Sequence, residues 1–105
     1  MRWMSPELLA LVQSGLENSR PTEQSDCYAL GMVIYEVLSG QVPFGLSNCH
    51  AVMRKVIEGE RPQRPEEVAG AWFTDGIWRM LNRCWAAQSE GRPSIKAVLE
   101  CLDQV

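Results

Sequence analysis

Residues 25–40 have the sequence SDCYALGMVIYEVLSG, a nearly continuous apolar segment between a polar start and a glycine. Ser25 and Asp26 are residue types that cap helix N-termini, and Gly40 is the type that most often ends a helix. Glu36 is the only charged residue between Asp26 and Gly40, so apolar side chains surround the helix instead of following one stripe. The β-branched residues would also suit a buried strand, but this length between a cap and a glycine favours a helix. The segment therefore predicts a central helix.

Four more helices are predicted on either side of this segment, each from apolar residues at helical spacing behind a capping residue or a proline. Pro62 and Pro65 exclude regular structure between Arg61 and Pro65. No stretch makes a convincing strand, so the predicted fold class is all-α, with about five helices around the central one and one domain over residues 1–105. The four flanking helices are predicted at 6–13 with Gly15 as the stop, 48–59 behind Ser47 or Asn48, Trp72 or Thr74 to about Ala87, and a last helix opened by Pro93 and Ser94.

Composition limits the class of partner and the location. The net charge of -3 argues against nucleic-acid binding, which needs a concentrated basic face, so proteins are the expected partners. No stretch approaches the roughly 20 apolar residues of a membrane-spanning helix. The apolar run 8–12 is also shorter than the hydrophobic region of a signal peptide. We therefore expect a soluble protein without a membrane segment.

The cysteines are widely separated and form no C-x-x-C pair, and His50 is the only histidine. This spacing predicts neither a zinc site nor a disulfide framework. Three of the cysteines lie in apolar helical runs, where a thiol behaves as a small hydrophobic side chain. Free thiols and a reducing, cytoplasmic or otherwise intracellular compartment are the expectation for Cys27, Cys49, Cys84 and Cys101.

Short motifs along the whole chain resemble, in order and spacing, the C-terminal lobe of eukaryotic protein kinases. The tryptophan and methionine before Pro6, the Arg61-Pro62 pair and the Cys-Trp pair point to the tyrosine-kinase-like or tyrosine-kinase branches. Ser5 stands where the family usually has alanine. The motifs are RWMSPE at 2–7, SDCYALG at 25–31, RP at 61–62, CW at 84–85 and GRPS at 91–94.

The resemblance implies roles for five residues near the two ends and the central helix. Glu7 and Arg92 would form a buried ion pair that closes the chain. Asp26 would cap the central helix here, while in a complete kinase its equivalent accepts hydrogen bonds from the catalytic loop. Trp3 and Met4 would belong to the platform that receives the substrate, and the equal alternative is that Trp3 is an amphipathic N-terminal anchor on the next helix.

The resemblance also places a docking surface for substrates or regulators on the helix at 47–58, with a plain solvated amphipathic helix as the alternative. Arg54, Lys55, Arg61 and Arg64 are the only basic concentration, and glutamates are interspersed among them. An ordinary mixed surface is therefore expected there, not an anion site.

The kinase elements that carry the chemistry are missing from residues 1–105. No glycine-rich loop, strand lysine, catalytic Asp with Asn, or Asp-Phe-Gly is present. We expect no catalytic, cofactor-binding or metal-binding residue here, and ATP and magnesium are implied only for a complete parent kinase. The complete form would phosphorylate protein serine or threonine, with tyrosine left open. The alternative is a stand-alone helical interaction module, a degenerate kinase remnant that associates through its uncovered apolar surface.

Overall fold

The computed structural model describes residues 2–13, 21–45, 48–64 and 73–103, and in these ranges every regular element is helical. The all-α prediction is confirmed. Gly15, Ser47 and Trp72, which the sequence placed at helix ends, lie outside the described residues. The elements are α1 (Pro6–Gln13), α2 (Glu23–Ser39), α3 (Cys49–Ile57), α4 (Asp75–Cys84), a 3₁₀ turn (Ser89–Gly91) and α5 (Ile95–Asp103).

The central helix, α2, begins earlier than predicted. Thr22 is its N-cap: the Thr22 hydroxyl accepts from the Ser25 backbone N–H at 3.1 Å, and the Ser25 hydroxyl accepts from the Thr22 N–H at 2.7 Å. This reciprocal arrangement is a capping box, and it satisfies two amide donors that an Asp26 cap would leave unpaired. The predicted cap at Ser25 and Asp26 is therefore wrong, because both residues lie inside the first turn. Gly40 ends the helix as predicted, with φ of 72°.

The predicted starts of α3, α4 and α5 are confirmed by side-chain caps, whereas the hydroxyl of Ser5, also predicted to cap, has no hydrogen-bond partner among the described residues at the start of α1. Asn48 accepts from the Ala51 N–H at 2.9 Å, Thr74 accepts from the Ile77 N–H at 3.2 Å, and Ser94 accepts from the Ala97 N–H at 3.1 Å. Each bond satisfies one of the amide groups that a helix N-terminus leaves without an internal partner.

Helix α4 ends at Cys84, three residues before the predicted end at Ala87. The last carbonyl groups of a helix have no partner within it, and those just beyond α4 are bound by side chains from elsewhere in the chain. The Trp85 carbonyl accepts from Arg61 Nε at 2.9 Å and the Ala86 carbonyl from Arg92 Nε at 3.0 Å. Tertiary contacts thus satisfy the carbonyl groups that follow α4.

A core of aromatic rings joins α2 to α4. Tyr35 on α2 lies 5.6 Å from Phe73 and 5.9 Å from Trp85 between ring centroids, and Trp78 lies 5.8 Å from Trp85. These tilted and edge-to-face pairs have the geometry that aromatic rings prefer. Helix α1 packs against α3, and α5 packs against α4, so all five helices belong to one connected body.

One side of α2 is not covered by the described residues. Val33 is 45% exposed and Val37, one turn later, is 74% exposed. We call these two side chains the open face of α2. The opposite side of the same helix is buried. Helix α2 therefore carries more apolar side chains than the other four described helices bury. None of the described helices is long and apolar enough to cross a bilayer.

Candidate functional site

The structure brings Glu7 and Arg92 together, although 85 positions separate them in the chain. Two parallel hydrogen bonds of 2.8 Å join Arg92 Nη1 and Nη2 to the two carboxylate oxygens of Glu7. The Arg92 side chain is fully buried and the Glu7 side chain is 38% exposed. This bidentate geometry is the strongest form of a protein ion pair.

The remaining donors of Arg92 bind main-chain carbonyl groups. Nη1 also donates to the Gln24 carbonyl at 3.0 Å, and Nε donates to the Ala86 carbonyl at 3.0 Å. One guanidinium therefore holds the start of α1, the start of α2 and the segment that follows α4. Because the bidentate pair with Glu7 needs a planar fork of donors, lysine cannot reproduce the full set of contacts.

Two guanidinium groups lie over the ring of Tyr28. The Cζ atoms of Arg61 and Arg92 lie 5.2 Å and 5.3 Å from the centroid of its ring, within the range of cation–π attraction. Burial raises the pKa of Tyr28 to about 12, and the two arginines only partly oppose that shift. We refer to Glu7, Tyr28, Arg61 and Arg92 as the arginine hub, in which the tyrosine is a neutral packing surface.

Sequence reasoning missed the role of Arg61. Its side chain donates to the carbonyls of Trp85, Val56 and Glu60, at 2.9, 3.2 and 2.7 Å. The interpretation of this residue as part of an ordinary mixed surface overlooked these contacts. The signal available in the sequence was the Arg61-Pro62 motif, since the proline fixes the backbone beside a residue with several donors.

Burial and the ion pair act in opposite directions on the pKa of Glu7. Burial raises the pKa, but the hydrogen bonds from Arg92, the attraction of its charge and local hydrogen bonds outweigh burial. The net result is a pKa below the ordinary value of 4.5. Glu7 is therefore a carboxylate at neutral pH, suited to an ion pair and not to proton transfer.

Trp3 and Met4 are half-buried and pack against the core. The Trp3 indole Nε1 donates to the Glu36 carboxylate at 3.1 Å, so the residue is fixed on α2 near its C-terminal end. Arg2 Nη1 donates to the Pro43 carbonyl at 3.1 Å in the following turn. The structure fixes this segment and leaves part of both side chains accessible. Their role as a substrate platform stays a prediction.

Asp26 is exposed in the first turn of α2. Among the described residues its carboxylate has no hydrogen bond and no ion pair, and the cap role predicted for it belongs to Thr22. Asp26, Leu30, Val33 and Val37 follow one another at intervals of four, three and four residues, so they share one side of the helix. The free carboxylate and the open face of α2 therefore lie on the same side.

Helix α3 borders a groove of about 540 Å³. Ala51, Met53 and Ile57 form its apolar lining, and Ile57 is 39% exposed. The polar lining has mixed charge and consists of Asn48, His50, Arg54 and Glu58.

The cysteines are all free. Cys27 and Cys84 are buried, Cys101 is half-buried and Cys49 is exposed. Burial raises the pKa of the Cys27 and Cys84 thiols, so both stay protonated and act as core side chains.

A family model for protein tyrosine and serine/threonine kinases matches residues 1–102. This chain belongs to the protein kinase family. It is 31% identical over 96% of its length to the probable serine/threonine-protein kinase drkD of Dictyostelium discoideum. It is 29% identical over 97% of its length to the serine/threonine-protein kinase mos of Patiria pectinifera, and 34% identical over its full length to the protein sevenless of Drosophila melanogaster.

The chain spans only a small part of these curated relatives: 7% of drkD, 26% of mos and 4% of sevenless. The resemblance of the sequence to the C-terminal lobe of a kinase is confirmed, and the chain corresponds to a fragment of a kinase domain. The kinase elements that hold ATP and transfer phosphate are absent from residues 1–105, as stated above.

Proposed function

We propose that this chain is the helical lower part of a kinase domain whose complete form transfers the γ-phosphoryl group of ATP to protein hydroxyl groups. Serine and threonine are the proposed acceptors, and tyrosine is the runner-up. Residues 1–105 would supply the scaffold and, through Trp3 and Met4, part of the substrate platform. The free cysteines support a reducing, intracellular location.

The open face of α2 carries this proposal. The two exposed valines lie on a helix whose other side is buried in the core. They indicate a surface on which another segment of the complete domain packs. Asp26 adds a carboxylate without a described partner on the same side. In the family the equivalent aspartate accepts hydrogen bonds from the catalytic loop, so the face offers both the apolar and the polar contacts that such a segment needs.

The chain itself does not fit ATP and magnesium. Among the described residues no group of three or more acidic, histidine or cysteine side chains could hold a metal ion. The phosphate-binding elements of the family are also missing from the sequence. We therefore assign scaffolding to these residues, and nucleotide binding to the rest of the complete domain.

The open face predicts a specific effect of two substitutions. Val33→Ser with Val37→Ser should change the unfolding free energy of the 105-residue chain by no more than about 0.5 kcal/mol, because both side chains are exposed. The same variant should reduce binding of an apolar dye and self-association of the chain. Val42→Ser is the matched control, since Val42 is similarly exposed at 43% but lies in the turn after α2.

The activity is tested on the complete product of the reading frame. That product should transfer labelled phosphate from ATP to casein, and the double serine variant should lose most of its activity while the Val42→Ser control keeps it. A product without phosphotransferase activity would favour the interaction module.

Magnesium and ATP should leave the melting temperature of the 105-residue chain unchanged, and a clear rise would overturn the scaffold assignment.

We propose further that α3 docks the protein substrates or regulators of the complete kinase. The groove beside Met53 and Ile57 supports this, since it offers an apolar pocket for a partner side chain. The same groove would serve the stand-alone interaction module, in which docking would be the whole function.

Docking at α3 predicts a selective effect on a protein substrate. Ile57→Asp in the complete kinase should raise KM for casein about three- to tenfold, because a buried apolar contact is lost, and leave kcat unchanged. KM for a short peptide that spans only the phosphorylated site should not change. Leu99→Asp, at another exposed apolar residue (53%), is the control and should affect neither substrate. Equal effects on casein and peptide would contradict docking.

A further inference from the structure

Helices α4 and α5 enclose a second groove, of about 300 Å³. It shares no lining residue with the groove beside α3, and neither Val33 nor Val37 lines it. Its apolar floor includes Met80 on α4 and Ala97 on α5, with the half-buried Cys101 one turn after Ala97. The volume is at the lower end of the range for ligand pockets, which suits a side chain or two of a bound segment.

Among the described residues that line this groove, two are charged and both are positive. Arg79 and Arg83 lie one turn apart on α4 and are exposed. Arg79 Nε donates to the Asp75 carbonyl of its own helix at 3.3 Å, and the side chain of Arg83 has neither a hydrogen bond nor an ion pair among the described residues. Neither arginine has a carboxylate partner among the described residues. The groove therefore has a positive edge, although the chain has a net charge of -3.

The described acidic residues nearest to the pair in these two helices form no ion pair with it. Asp75, one turn before Arg79 on α4, pairs with Arg64 at 2.9 Å. Glu100 on α5 precedes Cys101 but is not among the described lining residues. The described lining therefore combines an apolar floor with two positive side chains and no carboxylate.

We propose that this groove binds an acidic amphipathic segment of a partner protein. An apolar side chain of the segment covers Met80 and Ala97, and carboxylates on its flanks accept hydrogen bonds from Arg79 and Arg83. Charge complementarity selects an acidic partner over a basic or neutral one. The role goes beyond phosphoryl transfer and does not depend on it, so it can be tested on the 105-residue chain.

The probe is a synthetic peptide of Glu-Glu-Leu-Leu repeats with a fluorescent label, and its binding is measured by anisotropy. Arg79→Gln with Arg83→Gln should weaken binding about three- to tenfold, the range expected for two surface charge contacts. Lys55→Gln removes a positive charge from α3 at a residue that is not among the described lining of either groove, so it is the control for Arg83→Gln and should leave binding unchanged. Circular dichroism checks helix content, and Arg83→Gln alone serves if the double variant loses helicity, since this side chain has no described hydrogen bond.

Cys101 reports where the peptide binds. In a Cys49→Ser background the buried Cys27 and Cys84 are protected, so maleimide should react with Cys101. The acidic peptide should slow that reaction, whereas peptides with serine for leucine or lysine for glutamate should not. The proposal is overturned if the acidic peptide does not bind, if the arginine variants bind it equally well, or if Cys101 stays unprotected.

Discussion

Arg92→Ala should lower the free energy of unfolding by about 3 to 5 kcal/mol. The side chain is fully buried and makes four hydrogen bonds, two to Glu7 and one each to the carbonyls of Gln24 and Ala86. Its removal leaves these acceptors without a donor and exposes one face of Tyr28. Urea unfolding followed by circular dichroism measures the loss.

Variants of the two partners separate charge from geometry. Arg92→Lys keeps the charge but loses the fork, so it should recover only part of the stability. Glu7→Ala should cost about 2 to 3 kcal/mol, less than the loss for a fully buried pair, because Glu7 is 38% exposed and Arg92 keeps its carbonyl partners. A loss below about 0.5 kcal/mol for both alanine variants would show that the pair contributes only what a surface contact does.

The same pair makes stability depend on pH. The folded-state pKa of Glu7 lies below its ordinary value, so the stabilisation is complete above pH 4.5 and is lost as the pH falls through the folded-state pKa. Glu7→Gln removes this titrating group. The difference in stability between the native chain and Glu7→Gln should therefore shrink in acid and be largest at neutral pH.

The sequence predicted the parts of the fold that depend on local chemistry. Gly40 was recognisable as a helix stop because it permits a positive φ. The start of α2 was misplaced because Thr22 and Ser25 are both good caps, and only their reciprocal hydrogen bonds decide between them. The contacts beyond the end of α4 could not be predicted, since the Trp85 carbonyl is bound by Arg61, which is remote in the chain.

Part of the candidate site could likewise be predicted from the sequence, and part could not. Glu7 and Arg92 could be paired because both belong to motifs of a known family, and no local pattern would have joined them across 85 positions. The groove between α4 and α5 had no signal in the sequence. Arg79 and Arg83 are ordinary surface residues until α5 packs beside them and supplies the other wall. Surfaces built from two elements need the tertiary structure.

Gly31→Ala should destabilise the chain by about 1 to 3 kcal/mol, although alanine is the better helix former. Gly31 lies where α2 meets the end of α4, and a Cβ atom built there would lie 2.8 Å from Trp85 Nε1 and 2.9 Å from Cys84 Cβ. Both neighbours belong to the buried core, so neither can move without disturbing the aromatic contacts of Trp85. The overlap outweighs the gain of about 1 kcal/mol from helix propensity.

Gly76→Ala is the matched control for this prediction. Gly76 lies in the first turn of α4, and the nearest atom to its added Cβ is Thr74 Oγ1 at 4.0 Å, so the same substitution meets no obstacle. Here only the conformational gain remains, and stability should stay equal or rise by up to about 1 kcal/mol. Chemical unfolding of both variants decides the point, because equal stabilisation by the two would mean that α2 and α4 are further apart at Gly31. If α2 and α4 are as close at Gly31 as described, Gly31→Ala lowers the stability while Gly76→Ala leaves it equal or raises it.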